Sequence, residues 1–267
     1  MLESSLAELF EVACSQPRRK PAAAEGVDRS HPLADGLDLA VLFAGALPPR
    51  DLATRSRSVV PVNQRLANGI EGTAAEATAS TGRFELSPIV AFTGPEWALS
   101  CLVRFPIANN SSAVLACNNS PYAFHVLRNA ASNVLASWQS GSYSNFSPTV
   151  APLSLTGWRR LTVVGTAGGV GLHLDGQLVA SHATPISTGV RYILGDGDGG
   201  SLTRAFGAGA DFFVWTRSLS DAEVRTHALA PYAMLRPGMP GLFRSAPAGT
   251  GLFPPFPRAE PNTLLRM

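Results

Sequence analysis

The sequence predicts an all-β sandwich preceded by a short helix and followed by an extended, proline-rich arm, and three observations carry that prediction. Strand-length runs between Leu33 and Trp215 are bordered by Gly, Asn, Ser and Pro, the spacing expected of a sandwich. Asp175-Gly176 stands between two alternating runs, the strongest short-range signal for a hairpin. The 267 residues are 45% hydrophobic and include 25 glycines and 21 prolines, which supplies one large core and the turns for many short strands.

The elements follow in order. Residues 1 to 13 place Leu2, Leu6, Leu9, Phe10 and Ala13 near a 3.6-residue period, which predicts a short amphipathic helix. A helix this short is marginal alone in water, so its apolar stripe is expected to dock on the main domain or on another chain. Ser15 to Ser30, "SQPRRKPAAAEGVDRS", reads as a polar linker, giving a helix-and-linker unit over residues 1–30 and a sandwich over 31–236. The runs "WALSCLVRFP", "AVLAC", "AFHVLRNA", "NVLASWQSG", "RRLTVVGTA", "GLHLDGQLVASHA", "RYILGDG" and "ADFFVWTR" are the candidate strands. In the hairpin, Leu172 and Leu174 should face the core from one strand and Leu178 and Ala180 from the other, with His173 on the opposite face. In the last run, Phe212 and Val214 alternate with Phe213 and Trp215, as in a central strand buried on both faces. A helix start follows: Ser220 is the N-cap, Glu223 completes a capping box, Leu219 and Val224 sit at the staple positions, and Asp221 complements the helix dipole.

Beyond Arg236 the segment 237–267 has no element-forming period, and its prolines favour an extended arm. It is too apolar for a plain tail. "GLF" begins at Gly241 and again at Gly251, so Leu242, Phe243, Leu252 and Phe253, with Phe256, Leu264 and Leu265, are expected to anchor on a partner, as are Leu2, Leu6, Leu9 and Phe10.

Charge excludes some functions. The net charge of +2 comes from scattered residues and predicts no nucleic-acid binding. Lys20 is the only lysine among 21 basic residues, an arginine bias that a bias in the coding genome explains as well as function does. Cys14, Cys101 and Cys117 show no zinc or disulfide spacing. The N-terminus lacks the layout of a signal peptide, and "LDLAVLFAGAL" is too short to span a bilayer, so a non-secreted, non-membrane protein is expected.

The search for chemistry returns little. Glu71 and Glu76 are the nearest acidic pair in a strand region, and their spacing puts them on opposite faces, unlike the facing carboxylates of a glycosidase. No GxSxG or HExxH occurs, and His31, His125, His173, His182 and His227 are isolated. "GDGDGG" from Gly195 satisfies GxGxxG but no helix follows, and Asp196 and Asp198 fail the EF-hand spacing at Ser201 and Gly207. An acidic, glycine-rich turn is the reading. No catalytic residue, cofactor or metal is expected. Of Trp97, Trp138, Trp158 and Trp215, Trp138 is the candidate for ligand contact, with Tyr143 and Phe146 close behind as a glycan platform.

"GWRRLTVVGTAGGVGLHLDGQLVASHA", "RYILGDGD" and "GAGADFFVWTRSLSDAEVRTHA" resemble the second half of the laminin-G-like, or concanavalin A-like, jelly roll. The matching residues are Trp158, Asp175, Gly176, Leu194, Gly195, Asp211, Trp215, Leu219, Ser220, Ala222, Glu223 and Val224. The resemblance implies a concanavalin A-like sandwich with Trp97, Trp158 and Trp215 in its core, and loop-edge calcium in some members, for which Asp196 and Asp198 are the candidates here. "HPLADGLDLAVLF" and "APYAMLRP" are similar to the versions of this domain encoded by tailed bacteriophages and prophages, although His31 stands where Asn is common and "AGALPPRDL" replaces a glycine-rich turn. That narrower resemblance implies a non-enzymatic virion protein made in the host cytoplasm, with a capsid decoration or cement role as the first expectation. Its partners would be the major capsid protein, other virion proteins or further copies of itself. The alternative is a carbohydrate-binding adhesion module associated with a tail or fibre.

Overall fold

The computed structural model describes residues 21, 24–43, 47–69, 72–79, 82–104, 157–185, 189–194 and 208–237, and the backbone of five strands between 111 and 148. Alternation drives the architecture: in β6 (Arg83–Val90) Phe84 and Leu86 point inward while Glu85 and Ser87 point out, so one face of the strand must be covered. Among the described residues a seven-stranded sheet runs β11 (Ser142–Asn145), β10 (Leu135–Gln139), β9 (Ala123–Arg128), β8 (Ser111–Cys117), β16 (Val190–Ile193), β6, β3 (Ser58–Val62). The facing sheet runs β12 (Ser147–Pro148), β15 (Gln177–His182), β14 (Gly169–Leu174), β13 (Trp158–Thr166), β7 (Trp97–Arg104), β17 (Ala208–Gly209), β5 (Gly72–Ala77), β4 (Gln64–Gly69). β18 (Asp211–Trp215) joins β7 beside β17 and carries β2 (Leu37–Leu42) on its other side, making ten strands. All of these pairings are antiparallel, as in a jelly-roll sandwich.

The main core lies between the sheets and includes Phe43, Phe84, Leu99, Leu161, Ile193 and Phe212; Phe43 stacks on Phe84 with ring centroids 4.5 Å apart. A second cluster lies on the outer face of the ten-stranded sheet, where Phe213 and Trp215 meet Leu33, Leu37, Val224 and Met234. β18 is therefore buried on both faces, as its unbroken apolar run requires, and each of its large side chains contributes on the order of 2 kcal/mol by leaving water. The helix α1 (Asp221–Leu229) forms the lid of that second cluster. Its capping box is complete: the Glu223 amide donates to Ser220 Oγ at 3.3 Å and the Ser220 amide donates to Glu223 Oε2 at 2.8 Å.

The hairpin turn has φ of 50° at Asp175 and 85° at Gly176, the paired positive values that a two-residue primed turn demands. One register expectation fails there. Leu172, Leu174 and Ala180 reach the main core, but Leu178 is 43% exposed and Val179 is buried in its place. A bulge opposite Leu172 and His173 inserts one residue into β15, and each such insertion flips the face of the residues beyond it. A second expectation also changes: Ala24–Val27, read as linker, forms β1 and pairs with β19 (Leu235–Pro237). "AEGV" is too short and too irregular, with its own bulge at Gly26, to show a two-residue period.

Candidate functional site

The structure joins the two segments that flank the sandwich. β1 lies against β19, the Asp28 amide donates to Met234 O at 2.8 Å, and Trp215 Nε1 donates to Leu33 O at 2.7 Å. "HPLADGLDLAVLF" and "PYAMLRP" thus fold as one unit, with Leu33, Leu37, Tyr232 and Met234 in a single cluster. Arginine forks tie this unit to the sheet. Arg29 donates to the carbonyls of Ala34, Leu37 and Ala53, Arg217 donates to Asp35 O and Glu223 Oε1, and Arg55 donates to Glu25 O. Such multi-carbonyl reach uses the planar five-donor head that lysine lacks, a use of the arginine bias that the sequence left open.

Beneath the unit sits a buried polar network. Asp211 accepts from Arg160 at 2.9 and 2.6 Å, from the Leu102 amide at 2.9 Å and from the Tyr232 hydroxyl at 2.7 Å. Burial alone would raise its carboxyl, but the Arg160 charge and these donors outweigh it and hold the group below its usual range. Burial, with the Asp211 charge adding, pushes the nearby Cys101 thiol well above its normal value, so it stays protonated and inert. His227 shows the reverse situation. It is fully buried, edge-on to Phe213 and Trp215, with both ring nitrogens unpartnered, and burial followed by the Arg160 charge pushes it down to about 3.

A cross-strand row of the seven-stranded sheet supplies a second candidate surface. Cross-strand partners run Tyr143–Trp138–Ala123–Cys117–Tyr192–Glu85–Val60 through all seven strands. By backbone register, the positions of Trp138 and Tyr143 align across the strands with Tyr192 and Glu85. Arg83 and Arg191 lie over the Tyr192 ring at 5.4 and 5.1 Å, and Arg83 also pairs with Glu85 at 2.7 Å. Sequence spacing could not reveal this row, because five of its six pairings join residues more than five positions apart.

Phe146, Leu2, Leu6, Leu9, Phe10, Leu242, Phe243, Leu252, Phe253, Phe256, Leu264 and Leu265 lie outside the described residues, as do Glu71, Asp196 and Asp198. Trp97 and Trp215 are core residues, and Trp158 packs against a small cluster of Ala74, Leu102, Ala208 and Ala210. Glu76 pairs with Arg65 and Arg104, Asp38 and Asp51 with Arg57, and Asp175 with Arg159. These carboxylates serve as structural ties.

The sandwich geometry and the antiparallel register define the class of fold, and the sequence assigns the family. The chain belongs to the concanavalin A-like lectin/glucanases superfamily, whose Laminin_G_3 family matches residues 78–225. No curated protein matches the sequence. Among solved structures it is similar to the binding domain of Paraclostridial Mosquitocidal Protein 1, with a TM-score of 0.58 and 14% identity over 75% of this chain and 53% of that one. It is also similar to Trypanosoma rangeli sialidase, with a TM-score of 0.55 and 13% identity over 75% of this chain and 34% of that one. A third is domain 4 of AbnA, a GH43 extracellular arabinanase from Geobacillus stearothermophilus, in complex with arabinotriose (TM-score 0.51, 13% identity, 72% of this chain and 98% of that one). The chain spans about half the length of the first of these and about a third of the second.

Proposed function

We propose that this chain is a non-catalytic structural module of a phage virion, a capsid decoration or cement protein whose sandwich docks on neighbouring subunits and whose two terminal segments hold it there. The observation that carries this reading is the β1–β19 ribbon, which opposes Ala24 to Pro237. The sequences that precede Ala24 and follow Pro237 are both rich in apolar residues. Once the rigid body docks, each segment binds at high effective concentration, so two modest contacts multiply into one durable attachment. The similarity of "HPLADGLDLAVLF", which follows β1, and "APYAMLRP", which ends in β19, to phage-encoded versions of the domain supports the virion as the setting. Co-sedimentation of the purified chain with capsids lacking it tests the reading. Saturable binding that disappears when Gly238 to Met267 are deleted, with the sandwich still folded, is the expected result; undiminished incorporation of the shortened chain overturns it.

A second reading rests on the Trp138–Tyr143 row. Aromatic residues in register on a sheet face suit stacking against sugar rings, and a similar fold has been solved with arabinotriose. A glycan screen of the same sample separates the two: binding lost in Trp138→Ala, without capsid association, makes the sandwich an adhesion module.

A further inference from the structure

Beside the first turn of α1, over β13, β14 and β15, a groove of about 510 Å³ opens, large enough for a few bulky side chains. Its inner wall is the end of the second core cluster, since Val164 and Leu219 belong to that cluster and also line the groove. Leu178, turned outward by the β15 bulge and 43% exposed, adds a further apolar wall. The floor between them is bare backbone. A Cβ on Gly169, which has φ of 137°, would lie 2.1 Å from His182 O, so only glycine fits, and a Cβ on Gly171 would lie 3.1 Å from Leu178 Cδ1. His173 is 4% exposed, lines the groove and makes no hydrogen bond among the described residues, so its ring is free to bond the backbone of whatever enters.

Charge narrows the choice of occupant. The described residues that line the groove include one carboxylate, Asp221, and no arginine or lysine. Asp221 is exposed and has no hydrogen bond or ion pair among the described residues. The surface therefore suits bulky apolar side chains followed by a cation. The chain carries such a sequence close by. Met234 and Leu235 lie in the same cluster as Val164 and Leu219, so the chain reaches Pro237, the end of β19, on the face of the sheet where the groove lies. "GLFR" follows, placing Leu242, Phe243 and Arg244 five to seven residues on. At about 3.3 Å per extended residue their reach is roughly 16 to 23 Å. The nine residues of α1, which lead from the groove to the segment ending in β19, span only about 13 Å. The second "GLF" is followed by Pro254 and lacks the cation. Beyond Pro237 the chain holds Arg244, Arg258 and Arg266 against Glu260, the sign that complements Asp221.

We infer that the free chain docks its own Leu242, Phe243 and Arg244 in this groove, the first two against Val164, Leu178 and Leu219 and the guanidinium beside Asp221. This docking belongs to the isolated chain and is independent of the assembly reading; in an assembly the segment has to be released before it reaches a neighbour. The test is limited trypsin digestion of the full chain followed by mass spectrometry, comparing cleavage after Arg244 with cleavage after Arg258. Cleavage after Arg244 is expected to be slower by about tenfold or more, because a docked bond is cut only from its open state. Leu178→Asp, at an exposed position, should bring it close to the rate at Arg258. Asp221→Asn should speed it by about two- to threefold, as expected for an exposed ion pair. Thermal unfolding checks that both variants are folded. Equal cleavage at the two sites in the unaltered chain overturns the inference, and so does protection that neither variant relieves. Protection that fades on dilution puts the segment on a second copy and overturns docking within one chain. Capsid binding plays no part in these readouts, so failure here and failure of the assembly reading are separable.

Discussion

Asp211 and His227 are both completely buried on the same side of the ten-stranded sheet, yet the fold treats them in opposite ways. Asp211 has a bidentate guanidinium, a hydroxyl and a backbone amide around it. His227 has two aromatic rings edge-on and no partner for either nitrogen. A buried charge survives only with its donors in place, whereas a buried imidazole survives by remaining uncharged. The first group joins β18, β13 and the closing segment at Tyr232; the second leaves a weakness under the helix that covers them.

Breaking the satisfied side has the largest expected effect. Asp211→Ala removes the counter-charge and strands Arg160, which is itself buried, and should cost about 3 to 5 kcal/mol in denaturant unfolding. Replacing the pair by apolar residues of matched volume is expected to cost far less, because the penalty lies in the orphaned charge.

The orphaned side is sharpened by pH. The unfolded chain protonates His227 near its ordinary value of 6.5, while the folded chain resists until about 3. Stability from this residue is therefore complete above pH 6.5 and declines as pH falls toward 3, reaching a loss of roughly 3 kcal/mol near pH 4.5. His31 and His173, both lowered by burial, act in the same direction. Asp211, lowered instead of raised as a carboxylate, begins to lose its contribution only below about pH 4. In His227→Leu the slope between pH 6.5 and 4.5 should flatten, and stability at neutral pH should rise by about 1 to 2 kcal/mol as two unsatisfied nitrogens leave the interior. An unchanged acid slope would mean that the ring finds a partner in solution.

This contrast also marks how far the sequence could be read. The Asp175-Gly176 hairpin, the two-faced β18 and the Ser220–Glu223 capping box were legible, because each is encoded within a dozen residues by a turn signal or a period. The Asp211 network was not: Arg160 is 51 positions away, and neither its type nor its spacing pairs it with an aspartate. Val179 displaced Leu178 because a bulge obeys the cross-strand partner and not the strand's own pattern. β1 was missed because four residues carry no period, and its pairing with β19 spans nearly the whole domain. The candidate site shows the same division. Trp138 and Tyr143 were visible as neighbours, but the row that aligns them with Tyr192 and Glu85 exists only through strand order. The apolar residues of the terminal segments are legible as composition alone and lie outside the described residues.

The smallest predicted effect tests where the closing segment belongs. Tyr232 packs against Phe213 and donates its hydroxyl to Asp211, so it is the bolt between "PYAMLRP" and the sheet. In Tyr232→Phe the ring packing survives and one charge-assisted hydrogen bond goes, for a loss of about 1.5 kcal/mol. Arg160 and the Leu102 amide still satisfy Asp211, so the loss should stay well below that of Asp211→Ala. Amide exchange in β1 and β19 should accelerate in the variant more than exchange in β13 and β7, because the ribbon depends on the segment that Tyr232 fastens. Uniform acceleration across the sandwich would instead make the ribbon part of a single cooperative unit with the sheets. The terminal segments would then leave from the core of the domain and not from a separately fastened edge, and deleting them would be expected to affect folding as well as assembly.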